Sequence, residues 1–125
     1  MAGHEYLLSF LDDEKIRYKQ KGNVIQFCLH GINYFAIRSE TEFLQISVLL
    51  KTKEDAGELQ LLRLCNELNS EKFVTKFIII GKRVWCNIEF VPSAYTKSAS
   101  YIHALKILDH SSDEFLIRMG RLSPQ

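Results

Sequence analysis

The chain has 125 residues and a mass of 14.5 kDa, which suits one compact domain over residues 1–125. Its 46% hydrophobic and 25% charged residues exclude a disordered chain, and the few Gly and Pro residues predict regular elements with short connections. The formal charge of +1 shows no basic excess of the kind that nucleic-acid binders use to neutralise phosphates.

The first elements are a short helix and an edge strand. Residues Glu5–Glu14 have a helical apolar period, and Ile16–Gln20 then alternate like an edge strand. Turn chemistry follows at residues 21–23. The apolar side of the helix is formed by Leu7, Leu8 and Leu11.

Two paired strands come next, Val24–Leu29 and Asn33–Arg38, joined around Gly31. The loop length decides which side chains share a face, because a slip of one residue turns every side chain over. We predict a loop of odd length with Gly31 at positive φ, because this register gathers the most apolar side chains on one face. Those side chains are Ile25, Phe27, Leu29, Phe35 and Ile37.

A further strand, Phe43–Leu50, and a second helix complete the middle of the chain. The strand directs Leu44, Ile46, Val48 and Leu50 inward. Thr52 resembles a helix N-cap with acidic residues behind it, which predicts a helix to about Asn69. Its core stripe is Leu61, Leu64, Cys65 and Leu68.

Leu59 and Leu62 fall outside that stripe. Single exposed leucines are normal on protein surfaces. The alternative interpretation is that both leucines belong to a homodimer contact along the second helix.

The clearest hairpin has Gly81 and Lys82 as a two-residue turn, with Gly first as a type II′ turn prefers. This register pairs Ile78 with Trp85. One face of the hairpin is then apolar, with Phe73, Thr75, Phe77, Ile79, Val84, Cys86, Ile88 and Phe90.

A last helix is predicted from near Tyr95 to about Arg118. Ser112 falls within its apolar stripe, and a break near His110 is the alternative to one continuous helix. The shared phase of the stripe favours the continuous helix. Its members are Tyr101, Leu105, Leu108, Phe115, Leu116 and Met119.

Together these elements predict an α+β domain with an antiparallel five-stranded sheet in α-β-β-β-α-β-β-α order. Because one sheet face is strongly apolar, we expect the helices to pack on it.

The residues that carry chemistry form no recognisable motif. His103 and His110 lack a third metal ligand, and no phosphate loop or nucleophile elbow is present. Three widely spaced cysteines without a Cys-x-x-Cys pair indicate a reducing compartment. We therefore expect no enzyme activity, no cofactor and no metal, and a cytoplasmic location without membrane or nucleic-acid partners.

The second face of the last hairpin carries more apolar surface than a solvated face needs. Trp85, Ile78 and Ile80 lie there, with Arg83, Lys76, Asn87 and Glu89 as a predicted polar rim. Either a helix covers these side chains or they bind a partner protein, since Trp is enriched at interface hot spots.

Several local patterns resemble the YbjN-like family of bacterial proteins, which is similar in fold to type III secretion chaperones. The patterns are Phe10-Leu11-Asp12 before Ile16-Arg17-Tyr18, Val24–Phe27, Gly31, Tyr34–Ile37, Phe43-Leu44, and Cys65–Asn69 before Phe73-Val74. The resemblance implies a protein-binding domain without catalytic residues, often dimeric.

The sequence thus leads to two hypotheses. The first is a non-enzymatic protein-interaction or chaperone-like module that binds a partner through the surface around Trp85. The alternative is a small-molecule-binding or enzymatic domain with a cavity between sheet and helices, for which Tyr34, His30, Arg38 and Cys28 are candidates.

Overall fold

The computed structural model describes residues 1–72 and 74–122. Within these residues the chain forms three helices and six strands. In chain order they are α1 (Gly3–Asp13), β1 (Tyr18–Lys21), β2 (Val24–Leu29), β3 (Ile32–Ile37), β4 (Leu44–Leu50), α2 (Glu58–Glu71), β5 (Thr75–Ile80), β6 (Arg83–Phe90) and α3 (Ser98–Gly120).

The six strands form one antiparallel sheet in the order β1-β2-β3-β4-β6-β5. The predicted α+β class and the antiparallel sheet are confirmed, but the prediction of five strands is wrong. The edge strand predicted at Ile16–Gln20 is present as Tyr18–Lys21 and pairs along its whole length with β2, and the count of five left it out. The element order is therefore α-β-β-β-β-α-β-β-α.

The core lies between one face of the sheet and the three helices. Alternate strand residues are buried there against the apolar stripes of α1, α2 and α3. Phe10 of α1 stacks on Tyr101 of α3 with ring centroids 4.6 Å apart. Predicted core positions in β4 and α2 are buried as expected: Leu44, Ile46, Val48, Leu50, Leu61, Leu64, Cys65 and Leu68.

The last hairpin has the predicted register, with Ile80 opposite Arg83 and Ile78 opposite Trp85. Of its two turn residues only Gly81 has a positive φ, 64°, as a type II′ turn requires. Phe73, which we predicted on the apolar face of this hairpin, lies outside the described residues.

Helix α3 is continuous across His110, which confirms one long helix. Its two buried serines are satisfied: Ser111 Oγ lies 2.8 Å from Thr75 Oγ1, and Ser112 Oγ donates to the Leu108 carbonyl at 2.8 Å. The prediction of Leu116 in the core stripe is wrong, since its side chain is 41% exposed.

The predicted register of β2 and β3 is wrong. The loop has two residues, His30 and Gly31, whose φ angles are 51° and 78°. Two positive φ angles are typical of a type I′ hairpin turn. The core face consequently receives Tyr34 and Ala36, and Phe35 and Ile37 move to the opposite face. The prediction failed because it chose the register that gathers the most apolar side chains on one face, whereas two of them, Phe35 and Ile37, lie on the face opposite the core.

The predicted start of α2 is also wrong, because Thr52 is not its N-cap. The helix begins at Glu58 after Gly57, whose N–H donates to the Gln60 side chain at 3.0 Å. Residues 51–57 form the connection that carries the chain from β4, near the middle of the sheet, to the outer strand β5 on which α2 packs.

Candidate functional site

The sheet has a second face on which no helix lies within the described residues. Strand side chains on this face alternate with the buried core residues. We call it the open face. Trp85, Ile78 and Ile80 all lie on the open face, and no helix of the described residues covers them.

The centre of the open face is apolar. Strand pairing places Leu49, Trp85 and Ile78 in one row across β4, β6 and β5, and Phe35 lies in the adjacent row. We call the resulting surface the Trp85 patch, and its members are Phe35, Leu49, Ile78, Ile80 and Trp85.

Exposure within the patch is graded. Ile80 is 63% exposed, Ile78 and Leu49 are each 40% exposed, and Trp85 is half-buried. The edge of one aromatic ring meets the face of the other, because Phe35 and Trp85 have centroids 5.5 Å apart and an interplanar angle of 86°. This contact holds the indole in place at the centre of the patch.

The predicted polar rim is only partly correct. Arg83, Lys76 and Glu89 are exposed, but Asn87 is 8% exposed and lies beside Ser47 in the row next to Trp85. Asn87 Oδ1 has no hydrogen-bond partner among the described residues.

Lys76 belongs to the open face by register, but its ammonium group reaches around the sheet edge. It donates to the carbonyls of Lys72 at 3.0 Å and Asn69 at 3.3 Å, at the end of α2. A cation at a helix C-terminus interacts favourably with the helix dipole. Arg83 is therefore the basic side chain beside the patch that is free of this structural task.

Leu59 and Leu62 lie on α2, on the helical layer rather than the open face. They are 52% and 42% exposed, outside the buried stripe as the sequence predicts. Their three-residue spacing places them on neighbouring parts of the helix surface.

A second cluster lies between the β2–β3 hairpin and α3. Tyr34 donates a hydrogen bond to Asp109 Oδ1 at 2.5 Å. Both residues, together with His30, line a cavity of about 260 Å³ whose walls include Ile16 and Leu105. Of the four candidates for a small-molecule site, the structure brings together Tyr34 and His30.

The other two candidates lie elsewhere. Cys28 is exposed on the open face, and Arg38 follows β3 at a different surface depression. Burial raises the pKa of Asp109, which the hydrogen bond from Tyr34 opposes. Burial also raises the pKa of Tyr34, and the hydrogen bond to Asp109 adds to this effect.

The two buried thiols belong to the core. Burial raises the pKa of Cys65 to about 11 and that of Cys86 to about 12, so both thiols are protonated at neutral pH. Across the described ranges, no three His, Cys, Asp or Glu side chains are grouped to hold a metal ion. No helix in those ranges has both the length and the apolar character to cross a membrane.

Among solved structures, the fold matches the crystal structure of YbjN, a proposed transcription regulator from E. coli. The TM-score is 0.66, and the match covers 93% of this chain and 90% of that chain. The chain has a YbjN-like fold. The likeness is confined to the fold, because sequence identity to YbjN is 9%. No family model and no curated protein matches the sequence.

Sequence reasoning missed three residues of this YbjN-like domain that belong to the two clusters. Phe35 was assigned to the core through the wrong hairpin register, and Leu49 joins Trp85 only because β4 and β6 are neighbours. Asp109 meets Tyr34 across 75 residues of chain. Assigning Gly31 to the second position of a type I′ turn places Phe35 on the open face. No local sequence pattern identifies Leu49 or Asp109.

Proposed function

We propose that this protein is a non-enzymatic protein-interaction module that binds a partner protein through the open face. One observation carries the proposal: the Trp85 patch lies on a sheet face that no described helix covers. Contiguous exposed apolar surface of this kind is typical of protein-binding sites.

The anatomy of the patch supports the proposal. An anchored tryptophan at the centre, aliphatic neighbours and charged residues outside them match the core-and-rim arrangement of protein interfaces. The Phe35 contact fixes the Trp85 ring before binding, so little side-chain entropy is lost when a partner covers it.

The absence of enzyme activity is part of the proposal. Cys65 and Cys86 are protonated core residues, and Ser111 and Ser112 hold α3 through internal hydrogen bonds. These potential nucleophiles therefore have structural tasks. Three unpaired cysteines favour a reducing compartment, for which we propose the bacterial cytoplasm.

We also propose that the protein forms a homodimer, in which Leu59 and Leu62 of α2 make the contact between the two copies. The two leucines are exposed neighbours on the helical layer, so this contact leaves the open face available. A chaperone-like module that dimerises in this way presents two open faces to its partner.

Affinity capture with matched variants tests the proposed function. Ile80→Lys places a charge in the patch, and Ile117→Lys places the same charge on α3, where Ile117 is 56% exposed. We expect proteins retained from a bacterial extract by the wild type and by Ile117→Lys to be lost from Ile80→Lys. Equal retention by all three proteins overturns the proposal.

One observation favours a second candidate function, small-molecule binding. Asp109 and Tyr34 form a polar end to a cavity with apolar walls, which is the usual composition of ligand sites. A thermal-shift screen of metabolites and nucleotides tests it, because a ligand at 100 times its Kd stabilises by about 2.7 kcal/mol. A hit that Tyr34→Phe abolishes supports this function, and silence across the screen contradicts it.

A further inference from the structure

Charge is distributed unequally between the two layers of the molecule. The three helices contain nine acidic and three basic side chains, a net charge of −6. The six strands contain four basic side chains and one acidic side chain, a net charge of +3, although the whole chain carries only +1. By strand register all five lie on the open face: Lys19, Lys21, Lys76, Arg83 and Glu89.

The geometry of a sheet face limits what covers it. An apolar sheet face is normally buried by helices or by a second sheet. A second copy of this chain meeting the open face with its own would bring two basic surfaces together, and like charges across an interface are unfavourable. An amphipathic helix with acidic flanks covers the apolar centre with its apolar stripe and places opposite charges beside the surrounding basic side chains.

We propose that the segment bound by the open face is an acidic amphipathic helix, an inference that rests on the proposed function. Its apolar stripe covers the Trp85 patch, and its acidic flanks lie near Arg83 on β6 and extend toward Lys19, which lies on β1 in the same row as Phe35. The patch crosses β3, β4, β6 and β5, whose spacing of about 4.8 Å makes the patch about 14 Å wide. A helix of about ten residues has this length, and about four further residues carry it across β2 toward β1.

The composition of the patch disfavours single-stranded nucleic acid. Base stacking requires aromatic rings with a free face. The Trp85 ring is half-buried and packed against Phe35, and the most exposed patch residues are the aliphatic Ile80, Ile78 and Leu49. Aliphatic surface suits the apolar stripe of a helix.

A peptide library tests the inference on the full chain. The library contains 14-residue helical peptides with a fixed apolar stripe and flanking positions randomised among Glu, Lys, Gln and Ser. We expect selection against the immobilised protein to enrich Glu over Lys in the flanks. Trp85 is the only tryptophan in the sequence, so a blue shift of its fluorescence reports binding at the patch.

Charge reversal provides the matched comparison. Arg83→Glu combined with Lys19→Glu changes the open face and leaves Lys76 to cap α2. Arg63→Glu combined with Lys106→Glu makes the same change in net charge on exposed helical positions. We expect the first pair to weaken an enriched acidic peptide about tenfold and the second pair by less than threefold, and added salt to weaken the wild-type complex.

The outcomes separate this inference from the proposed function. Enrichment of Lys-flanked or uncharged peptides that still shift Trp85 fluorescence overturns the acidic helix but keeps a protein-binding face. Absence of any enriched peptide, with binding of a dT12 oligonucleotide instead, overturns both. A concentration-dependent fluorescence shift of the protein alone, with twice the monomer mass, assigns the open face to a second copy and overturns the inference.

Discussion

Asn69 and Phe77 are joined by two hydrogen bonds between a side-chain amide and a backbone. The Phe77 N–H donates to Asn69 Oδ1 at 2.7 Å, and Asn69 Nδ2 donates to the Phe77 carbonyl at 2.9 Å. Because β5 is the outer strand of the sheet, these two Phe77 groups have no strand neighbour. The Asn69 amide therefore substitutes for the missing strand and fixes the end of α2 to β5.

Removing this amide is expected to destabilise the domain and open its edge. Asn69→Ala leaves the Phe77 N–H and C=O unpaired, for which we expect a loss of about 1–3 kcal/mol. Unpaired edge groups also invite pairing with other chains. Urea unfolding and light scattering against concentration measure the two effects.

Asn66→Ala is the matched control, since Asn66 is exposed one turn earlier on α2. We expect this variant to stay within about 0.5 kcal/mol of the wild type and to remain free of association. Equal losses in both variants would contradict edge protection as the cause, because Ala is the better helix former at both positions.

Local patterns predicted the structure best where one turn residue decides the register. Gly81 placed the β5–β6 turn correctly, and with it the Ile78–Trp85 pair. The β2–β3 loop was misjudged because His30 also adopts a positive φ, which sequence alone does not favour as it favours glycine. Counting apolar residues then selected the wrong face for Phe35.

The candidate site required contacts that local sequence does not encode. The patch depends on β4 lying beside β6, which brings Leu49 opposite Trp85 although the two strands are separated by α2 and β5. Likewise, Asp109 reaches Tyr34 only once α3 has packed on the sheet. The Trp85, Ile78 and Ile80 surface was accessible to sequence reasoning because one hairpin contains it.

The same Ile→Ala substitution, made once on each face of the sheet, distinguishes the open face from the core by its effect on the free energy of unfolding. Ile88 is 2% exposed on the core face of β6, and Ile80 is 63% exposed on the open face of β5. We expect Ile88→Ala to cost about 2–5 kcal/mol. Ile80→Ala is expected to cost less than about 0.5 kcal/mol in urea unfolding. If Trp85→Ala or Ile78→Glu unfolds the monomer, the patch is core and cannot serve as a docking surface.

The proposed α2 contact predicts a concentration-dependent mass. In size-exclusion chromatography with light scattering, we expect the mass to rise from 14.5 kDa toward twice that value as concentration increases. Leu59→Glu combined with Leu62→Glu places repelling charges at the contact and is expected to keep the protein monomeric. Ile80→Lys leaves α2 unchanged and should dimerise like the wild type. A mass of 14.5 kDa for the wild type at all concentrations contradicts the contact.

The raised pKa of Asp109 predicts that the free energy of unfolding depends on pH. It also predicts that replacing this carboxylate by a neutral side chain increases the free energy of unfolding at neutral pH. Because its folded-state pKa is raised above the ordinary 3.8, its favourable contribution is complete below that value and is lost as pH rises through the raised folded pKa. Asp109→Asn keeps an oxygen that accepts the Tyr34 hydrogen bond and removes the partly desolvated charge.

We therefore expect Asp109→Asn to be more stable than the wild type at pH 7. The gain should be modest, roughly 0.5 kcal/mol, since solvent screens a partly exposed carboxylate. At pH 3 the wild-type carboxyl is protonated, and the two proteins should unfold at the same urea concentration. Asp55→Asn, an exposed loop substitution with no such burial, controls for the change in net charge. A variant that is less stable than the wild type at pH 7 would mean that the charged Tyr34–Asp109 hydrogen bond outweighs the desolvation of Asp109.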